Sequence, residues 1–553
     1  MSNKKSESTP RISAGTTGRS MNQVLESATM DYLSSLDPTN PPRPSVIETE
    51  LLQAIQDEFD YENSVKAGRD KWKCPGTIPF PQLAEIIAHL YPVRRIPGAE
   101  DSADPDYDML AIYQAEGPDR GTYVTSEDVF RGIARQYNNA ITSHQFNELM
   151  LALRDKVERK PRCLDPDLIA VNNGIFNYAT KQLQDFDPDL VFLSKSHVDY
   201  VPNPINPVIY NQDDGTDWDV ETWMHSLSDD DDIVELLWQI TGAIIRPNVR
   251  WDKGVWFYSE TGNSGKGTLC SMMRNLCGPG NYATISMADF SKDFMLEQLI
   301  HASAVIADEN DVGEFIDKAA NLKAAITQDP LLIDRKHRRP ISYVFRGLVV
   351  QCLNEYPKIR DTSGSFIRRQ LFVPLDKCFT GVERRYIKSD YLARPEVLRY
   401  VLWKVLNMDY TEFSEPAACK AALEHSRLMN DPVRQFANEV MPELVWNLLP
   451  WGFLYDLYVS WFYSNNPSGR VQKRLVFKQE LMDVLKNDST YRFDTKDNAI
   501  SVAPWHLLTC NEPLVSEYGL SNWFRLDSKS YRGILRVPSQ TASSNPPASL
   551  SSP

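Results

Sequence analysis

A short glycine-rich segment, residues 259–268 with the sequence SETGNSGKGT, has the residue types and the spacing to bind phosphate. Apolar residues 255–258 precede it, as in a buried strand, and apolar residues at helical spacing follow it. A strand, a glycine loop and a helix in that order let backbone N–H groups converge on a phosphate at the helix N-terminus. The chemistry predicted here is therefore nucleotide binding. The predicted nucleotide-binding residues are Gly262, Asn263, Ser264, Gly265, Lys266, Gly267 and Thr268.

Lys266 is the predicted cation of this loop, because its ammonium would reach the β and γ phosphates. Two positions depart from the phosphate-loop pattern GxxxxGK[ST]. Glu260 stands where the first glycine belongs, and Gly267 follows the lysine, so that the hydroxyl of Thr268 comes one place late. For this segment alone, a glycine turn that leads into a helix is the alternative interpretation.

Polar side chains directly follow two further apolar segments. Residues 304–307 lead into Asp308 and Glu309, and residues 348–353 lead into Asn354. We predict that Asp308 joins the shell of a Mg²⁺ ion, that Glu309 lies near the attacking water, and that Asn354 orients this water beside the γ-phosphate. Because ligands collect at the carboxyl ends of strands in an open α/β sheet, these side chains are expected to share one crevice with the glycine loop.

Two arginines, Arg368 and Arg369, come directly before another apolar segment, residues 371–375. We predict that Arg369, with Arg368 as the fallback, projects into the ATP site of a neighbouring subunit. Two exposed arginines at the start of a strand are the alternative.

Five consecutive basic residues separate two strand-like segments, residues 331–333 and 341–345. This pattern predicts a hairpin that presents cations at its tip. In a chain with a net charge of −15, such a tip calls for a partner, and a phosphate backbone is the natural one. A merely solvated loop would more usually mix charges of both signs. The predicted DNA-binding residues are Arg335, Lys336, His337, Arg338 and Arg339.

The composition of the 553 residues is that of a globular protein, with 42% hydrophobic and 24% charged residues. It excludes collagen, wholesale disorder and a membrane bundle, and no run approaches the about 18 apolar residues of a spanning helix. We therefore expect the protein in the cytoplasm. The acidic balance argues against non-specific coating of nucleic acid, so any DNA contact must be concentrated. The eight scattered cysteines suggest neither a disulfide frame nor a zinc site.

The order of these motifs resembles that of the superfamily 3 helicases, and specifically the phage and plasmid primase-helicases related to the poxvirus helicase-primase. Lys266 resembles the Walker A lysine of that superfamily, and Asp308 with Glu309 resembles its Walker B pair. Asn354 resembles sensor 1, and Arg369 resembles the arginine finger. The resemblance implies ATP and Mg²⁺ as cofactors. It also implies an AAA+-related ring, usually a hexamer, that moves along single-stranded or forked DNA. The expected location is the host cell, and the expected protein partners are replication proteins of the host or the element.

The resemblance covers about residues 120–430. Residues 333–337, IDRKH, look like the DNA-tracking hairpin of the papillomavirus replicative helicase. Residues 168–183, with the segment that follows them to Trp238, are similar to the domain that precedes the helicase in the phage and poxvirus proteins. The altered glycine loop leaves the hydroxyl ligand of Mg²⁺ open between Thr268 and water, beside Asp308. The family's primase domain is not expected here, because the N-terminal part is short and lacks a zinc-ribbon cysteine set.

The predicted fold is α/β, with an AAA+-like P-loop ATPase core between a mixed N-terminal domain and a small C-terminal domain. A winged helix with residues 491–505 as its wing is one interpretation of the C-terminal domain, and a partner-binding or purely structural helical domain is the other. The predicted segments are a disordered tail and linker (1–45), an N-terminal helicase-associated domain (46–230), the ATPase domain (231–395), the C-terminal domain (396–538) and a disordered tail (539–553).

Together these features predict an ATP-dependent DNA helicase that acts in the replication of a phage, plasmid or integrated mobile element. A nucleotide-switched initiator that assembles on an origin without processive unwinding is one alternative. A packaging or defence ATPase that grips RNA or duplex DNA is another. The place of the hairpin between the Walker B pair and sensor 1 favours the helicase, because it couples the tip to the nucleotide site.

Overall fold

The computed structural model describes residues 18–38, 40–99, 104–310, 320–336, 338–357, 364–465, 471–493, 500–502, 511–524 and 531–536. The chain divides into two compact units. The first comprises residues up to 355 together with 368–419, and the second comprises residues 356–367 together with those from 420 onward. Each unit has a hydrophobic core of its own.

The first unit begins with helices packed around a small antiparallel sheet. These elements are α1 Met21–Ser34, α2 Pro44–Asn63, α3 Phe80–Leu90, β1 Val93–Ile96, β2 Met109–Tyr113, β3 Tyr123–Val124, α4 Glu127–Tyr137 and α5 Ser143–Lys156. Ser20 and Thr142 cap α1 and α5, each in a reciprocal pair with the glutamine three residues on. The five helices and the sheet enclose one apolar core.

Helix α1 corrects the prediction that residues 1–45 are a disordered tail and linker. Val24, Leu25 and Leu33 are buried in the core of this N-terminal layer, and α1 packs along α2. The segment is polar in composition, but its few apolar side chains share one helix face that finds a partner surface in the folded unit. Residues 1–17 and 539–553, also predicted as disordered, lie outside the described residues.

A second group of elements joins this layer to the centre of the unit. It consists of β4 Leu168–Val171, β5 Gly174–Asn177, β6 Gln182–Gln184, β7 Ile209–Tyr210, β8 Asp217–Trp218, α6 Val220–His225 and α7 Asp231–Ala243. Strands β4, β5 and β6 form an antiparallel sheet, and β7 pairs with β8. Asp230 caps α7 by accepting a hydrogen bond from the backbone of Asp232.

The centre of the first unit is built from strands that alternate with helices and one hairpin. Along the chain these are β9 Gly254–Tyr258, α8 Lys266–Cys277, β10 Tyr282–Ala283, β11 Ala304–Ala307, α9 Ala320–Thr327, β12 Pro330–Ile333, β13 Ile341–Val344 and β14 Leu348–Leu353. After α10 Gly364–Ile367, which belongs to the second unit, the chain returns with β15 Gln370–Pro374, α11 Arg385–Ser389 and α12 Pro395–Asn407.

Five of these strands form one parallel sheet in the order β10-β11-β14-β9-β15. Every strand runs the same way, so the carboxyl ends of β9, β11 and β14 meet at a single edge. The strands are buried apolar runs, as expected for a sheet covered on both faces. The predicted α/β core is confirmed, and the structure shows that its sheet is parallel.

The predicted hairpin is also confirmed. Strands β12 and β13 pair antiparallel, with Pro330 opposite Val344 and Ile333 opposite Ile341. The backbone N–H of Val344 donates to the carbonyl of Gly98 at 3.1 Å. A side chain at Gly98 would collide with the backbone of Ser342, so glycine permits this close packing of the hairpin on the N-terminal layer.

The boundaries of the first unit differ from the predicted ones. Ile169, Phe176 and residues of α7 share one core with the central sheet, so no core boundary falls at residue 231. Helix α12 packs on α7 and α8 and buries Val401 and Val405 in the same core. The predicted start of the C-terminal domain at residue 396 is therefore corrected to residue 420, because the apolar face of α12 is needed to cover the sheet.

The second unit contains most of the remaining elements. They are α13 Ala417–Asn430, which spans the boundary, α14 Pro432–Glu439, β16 Leu448–Pro450, α15 Trp451–Asn465, α16 Arg474–Leu485, β17 Tyr491–Arg492, β18 Ile500–Val502, α17 Pro513–Glu517 and β19 Tyr531–Arg536. Strands β16, β17 and β18 each pair antiparallel with β19. Residues 494–499 and 503–510, which include most of the predicted wing, are not described, so the winged helix stays a prediction.

Within the described residues, no helix combines the length and the apolar character that a bilayer crossing requires. The described cysteines are free thiols. Cys270 on α8 and Cys352 on β14 lie with their sulfur atoms 3.3 Å apart beneath the glycine loop. The hydrogen bond with the thiol of Cys270 and, after it, burial raise the pKa of Cys352, so it is held as a neutral thiol.

Candidate functional site

Three residues of the glycine loop adopt left-handed backbone conformations. The φ angles of Gly262, Asn263 and Gly265 are 64°, 43° and 89°. Gly265 is the N-cap of α8, and a Cβ at this position would lie 2.7 Å from a methyl carbon of Leu227. Glycine is therefore required at residue 265 by both the backbone and the space. The loop leads from β9 into the N-terminus of α8, where first-turn amides can bind an anion.

Lys266, the first residue of α8, places a buried ammonium group at this helix N-terminus. The residue is only 8% exposed, and its Nζ donates two long hydrogen bonds of 3.4 Å, to the carbonyl of Ser259 and to Oγ of Ser264. Burial lowers the pKa of Lys266. No carboxylate among the described residues forms an ion pair with it. An anion in the loop would favour the charged ammonium and would balance its charge.

A cleft of about 1150 Å³ opens at the glycine loop. Residues 262–268 line it together with Asp308 at the end of β11 and Asn354 at the end of β14. The parallel sheet thus brings the predicted loop and two of the three predicted strand-end residues to one crevice. The cleft is large enough for a ligand of nucleotide size, since ligand pockets typically measure about 300–1000 Å³.

Asp308 is held by an arginine that the sequence interpretation missed. Arg274 on α8 contacts both of its carboxylate oxygens, with Nη2 2.7 Å from Oδ1 and Nη1 3.1 Å from Oδ2. These hydrogen bonds hold the pKa of Asp308 below its ordinary value despite its partial burial, and the nearby charge of Lys388 adds to the effect. Arg274 lies on α8, and its partner Asp308 is 34 positions away in the chain, so no local sequence pattern indicated this pair.

The other two strand-end residues are exposed. Glu309 directly follows Asp308 in the chain. Residues 311–319 lie outside the described residues. Asn354 is exposed at the end of β14 and faces the cleft. Asn310, which was not predicted, fixes the end of β11. Its amide donates to Oε1 of Gln351 at 3.0 Å and to the carbonyl of Cys352 at 3.1 Å, both on β14.

Arg368 and Arg369 lie at the opposite edge of the sheet from the glycine loop. They precede β15, whose first residue pairs with Gly254, the first residue of β9, whereas the loop follows the last residue of β9. Five strand residues separate the two edges by roughly 15 Å. Arg368 is exposed and Arg369 is half-buried. Neither arginine is therefore positioned to serve the loop of its own subunit, and the predicted role in a neighbouring subunit stays a prediction.

Two cations of the predicted DNA-binding hairpin are engaged in ion pairs with the N-terminal layer. Arg338 contacts Glu127 at 2.9 Å, and Arg339 contacts Asp106 at 2.8 Å. Arg335 is half-buried and donates two hydrogen bonds to the carbonyl of Arg339, so it braces the tip.

Lys336 is exposed at the same tip. His337, the fifth predicted DNA-binding residue, lies outside the described residues. The two ion pairs could not be predicted, because their carboxylates are about 200 or more positions away in the chain.

A second group of cations lines the cleft and was not predicted. Arg384, Arg385 and Lys388 belong to α11 and the residue before it, in the segment that follows β15. The backbone N–H of Phe379 and the side chain of Thr380, in the same segment, bond to Asn263 of the glycine loop at 2.9 Å and 3.1 Å. The segment after β15 is therefore part of the cleft wall and is attached to the loop.

Comparison with known families gives three matches along the chain. Residues 127–231 match a family described as D5 N terminal like, residues 257–369 match a family of unknown function, DUF5906, and residues 428–512 match a family described as Poxvirus D5 protein-like. The glycine loop, Asp308 and Asn354 fall within the middle match, and D5-like matches lie on both sides of it. Two separate segments of the chain, residues 127–231 and 428–512, are thus similar to D5-like proteins.

Solved structures of the NrS-1 C-terminal region are similar to this chain, with low sequence identity and low TM-scores. The A form apo structure shares 13% sequence identity, covers 82% of this chain and 99% of its own, and gives a TM-score of 0.42. An apo structure of NrS-1 residues 305–718 shares 12% identity with coverage of 82% and 98% and a TM-score of 0.41. No curated protein matches the chain in sequence.

Proposed function

We propose that the protein is an ATP-dependent DNA helicase of superfamily 3 that acts in the replication of a phage, plasmid or integrated mobile element. The observation that carries the proposal is the buried Lys266 ammonium, which lines a cleft at a helix N-terminus and has no carboxylate partner among the described residues. A buried charge without a counter-ion is costly. A nucleotide phosphate would supply the missing negative charge. In this proposal the glycine loop is therefore a P-loop, and the parallel sheet is an AAA+-like ATPase core.

The side chains of the cleft are compatible with ATP and Mg²⁺ bound together. Mg²⁺ is usually held by one or two protein oxygens plus substrate phosphates, and the described residues contain no group of three acidic, histidine or cysteine side chains that would hold a metal alone. Asp308 would hold the ion together with Thr268 or water. The ion, when bound, would neutralise charge on the phosphates. Arg274 keeps Asp308 ionised and oriented for this role.

The remaining roles follow from position. Lys266 would bind the β and γ phosphates, Glu309 would accept a proton from the attacking water, and Asn354 would orient that water. Arg369, or Arg368 in its place, would complete the site of a neighbouring subunit, since both lie far from the loop of their own subunit. That geometry supports a closed ring, and the proposed ring is a hexamer.

The hairpin of β12 and β13 is the proposed contact with single-stranded DNA. It follows α9 and precedes β14 in the chain, between β11 and β14, the two strands that end at Asp308 and Asn354 of the cleft. Lys336 is exposed at its tip and would contact the sugar-phosphate backbone. The similarity of residues 127–231 and 428–512 to D5-like families, together with the motif order that resembles the phage and poxvirus primase-helicases, supports a role in replication with DNA as the partner.

An unwinding assay with a forked DNA substrate tests the proposal. Lys266→Ala should abolish ATP hydrolysis, whereas Glu309→Gln should retain ATP binding and lose hydrolysis, because the first residue binds phosphate and the second polarises water. Lys420→Ala is the matched control, because this lysine is exposed on α13 and is absent from the cleft wall.

Two results would count against the proposal. Normal hydrolysis by Lys266→Ala protein would mean that the glycine loop does not bind the nucleotide. Binding of ATP and DNA by the unaltered protein without any unwinding would favour the nucleotide-switched initiator instead.

A further inference from the structure

We infer that Lys388 is a second phosphate-binding cation of the nucleotide site, supplied by the same subunit. This inference rests on the proposed nucleotide site and adds a residue to it. No element of the phosphate-loop motif includes Lys388, which lies in α11, beyond the last strand of the sheet.

The first observation is the position of the Lys388 ammonium. A Cβ built on Gly267 would lie 3.5 Å from Nζ of Lys388. The ammonium therefore lies over the first turn of α8, next to the residue that follows Lys266. The usual phosphate loop has serine or threonine at this position. In this chain the position is glycine, and the ammonium of a lysine from another element lies beside it.

The second observation is that Lys388 lies in the wall of the same cleft. It lines the cleft together with Lys266, Thr268 and Asp308. A cation in this wall, beside the first turn of α8, is close to the place where the phosphates of a nucleotide would lie.

The third observation concerns the groups around Lys388. Its ammonium forms neither a hydrogen bond nor an ion pair with any described residue. Its neighbours are anchored: Ile387 is buried in the core, and the hydroxyl of Tyr386 donates to Asp214 at 2.5 Å. Arg384, by contrast, is 3.7 Å from a carboxylate oxygen of Asp214. The fold thus holds the backbone of α11 in place and leaves the Lys388 charge available to an anion.

These observations point to a nucleoside triphosphate as the ligand. The ammonium of Lys266 approaches the glycine loop from within α8, and that of Lys388 approaches it from α11. Each additional phosphate increases the negative charge between the two cations. The contribution of Lys388 should therefore be greater for ATP than for ADP.

Equilibrium binding of fluorescent ATP and ADP analogues to the full chain tests the inference, with Lys388→Ala, Lys388→Arg and the control Lys420→Ala. Lys388→Ala should weaken ATP binding roughly tenfold or more, the usual effect of losing a hydrogen bond to a charged group. It should weaken ADP binding less. Lys388→Arg should restore most of the ATP affinity, and melting curves should match the unaltered protein, because Lys388 is exposed.

Two outcomes would overturn the inference and are distinguishable. If the unaltered protein binds ATP and Lys388→Ala binds it as tightly as Lys420→Ala does, Lys388 is an ordinary surface lysine and the proposed function stands. If the unaltered protein binds neither ATP nor ADP, the proposed function and the role of Lys388 fall together.

Discussion

Removing the two carboxylates that hold the hairpin tip should strengthen the binding of single-stranded DNA. Arg338 and Arg339 are paired with Glu127 and Asp106, so they can bind phosphate only after these ion pairs break. The perturbation is the double substitution Asp106→Asn with Glu127→Gln. Both replacements keep the size of the side chain and remove its charge. Glu127 lies in the first turn of α4, where Asp128 retains a negative charge beside the helix N-terminus.

The expected magnitude follows from the exposure of the two pairs. The side chains of Arg339 and Asp106 are 72% and 65% exposed, and those of Arg338 and Glu127 are 34% and 44% exposed. Exposed ion pairs contribute about 0.5 kcal/mol each, so releasing both is worth about 1 kcal/mol. This corresponds to about fivefold tighter DNA binding. The gain should shrink as the salt concentration rises, because exposed charges are screened.

Fluorescence anisotropy with labelled single-stranded DNA, at several salt concentrations, measures the effect. Loss of any two negative charges strengthens DNA binding in general, so the matched control is Asp57→Asn with Asp60→Asn on α2. Both control residues are exposed, and each accepts a hydrogen bond from a glutamine instead of pairing with a cation. Equal DNA affinity of the two double variants would refute the reasoning, because the released arginines would then add nothing.

Three further predictions concern separate parts of the molecule. Lys336→Ala should preserve basal ATP hydrolysis and ring assembly but lose most of the stimulation of hydrolysis by DNA and most of the unwinding. It should also reduce the salt dependence of DNA binding by about one released counterion per subunit. Gel filtration checks the assembly, and a forked-DNA assay checks the unwinding. Mixing Arg369→Ala with Lys266→Ala subunits should recover part of the ATP hydrolysis, whereas hydrolysis that is independent of protein concentration would argue against a shared site. Arg274→Met should lower the melting temperature at neutral pH, because Arg274 depresses the pKa of Asp308 and so stabilises the folded state above that pKa. The deficit should disappear as the pH falls through the lowered pKa, and a deficit that is the same at all pH values would contradict this linkage.

Local sequence patterns were sufficient to predict the central part of the fold. The strands at residues 304–307 and 348–353, the helix after the glycine loop and the hairpin all form as predicted. Each of these elements is short and is marked by its own run of apolar residues or by its own periodicity. The crevice shared by the loop, Asp308 and Asn354 was predictable for a related reason, since parallel strands bring their carboxyl ends to one edge.

Helix α1 and the boundary at residue 420 were not predictable in the same way. The apolar residues of α1 are few and become stabilising only against α2, and α12 belongs to the first unit because it covers α7 and α8. The apolar pattern of a helix shows which face is buried but does not identify the surface that covers it.

The sequence by itself therefore determined the loop, the strands and the basic tip, whose residues are neighbours in the chain. Only the tertiary structure decided which charges meet. Arg274 holds Asp308 from another element, Lys388 reaches Gly267 from beyond the last strand, and Arg339 pairs with Asp106, 233 positions away. The physical reason is that an ion pair forms between side chains separated by a few ångströms in space, and sequence periodicity carries information only about side chains separated by a few residues along one element.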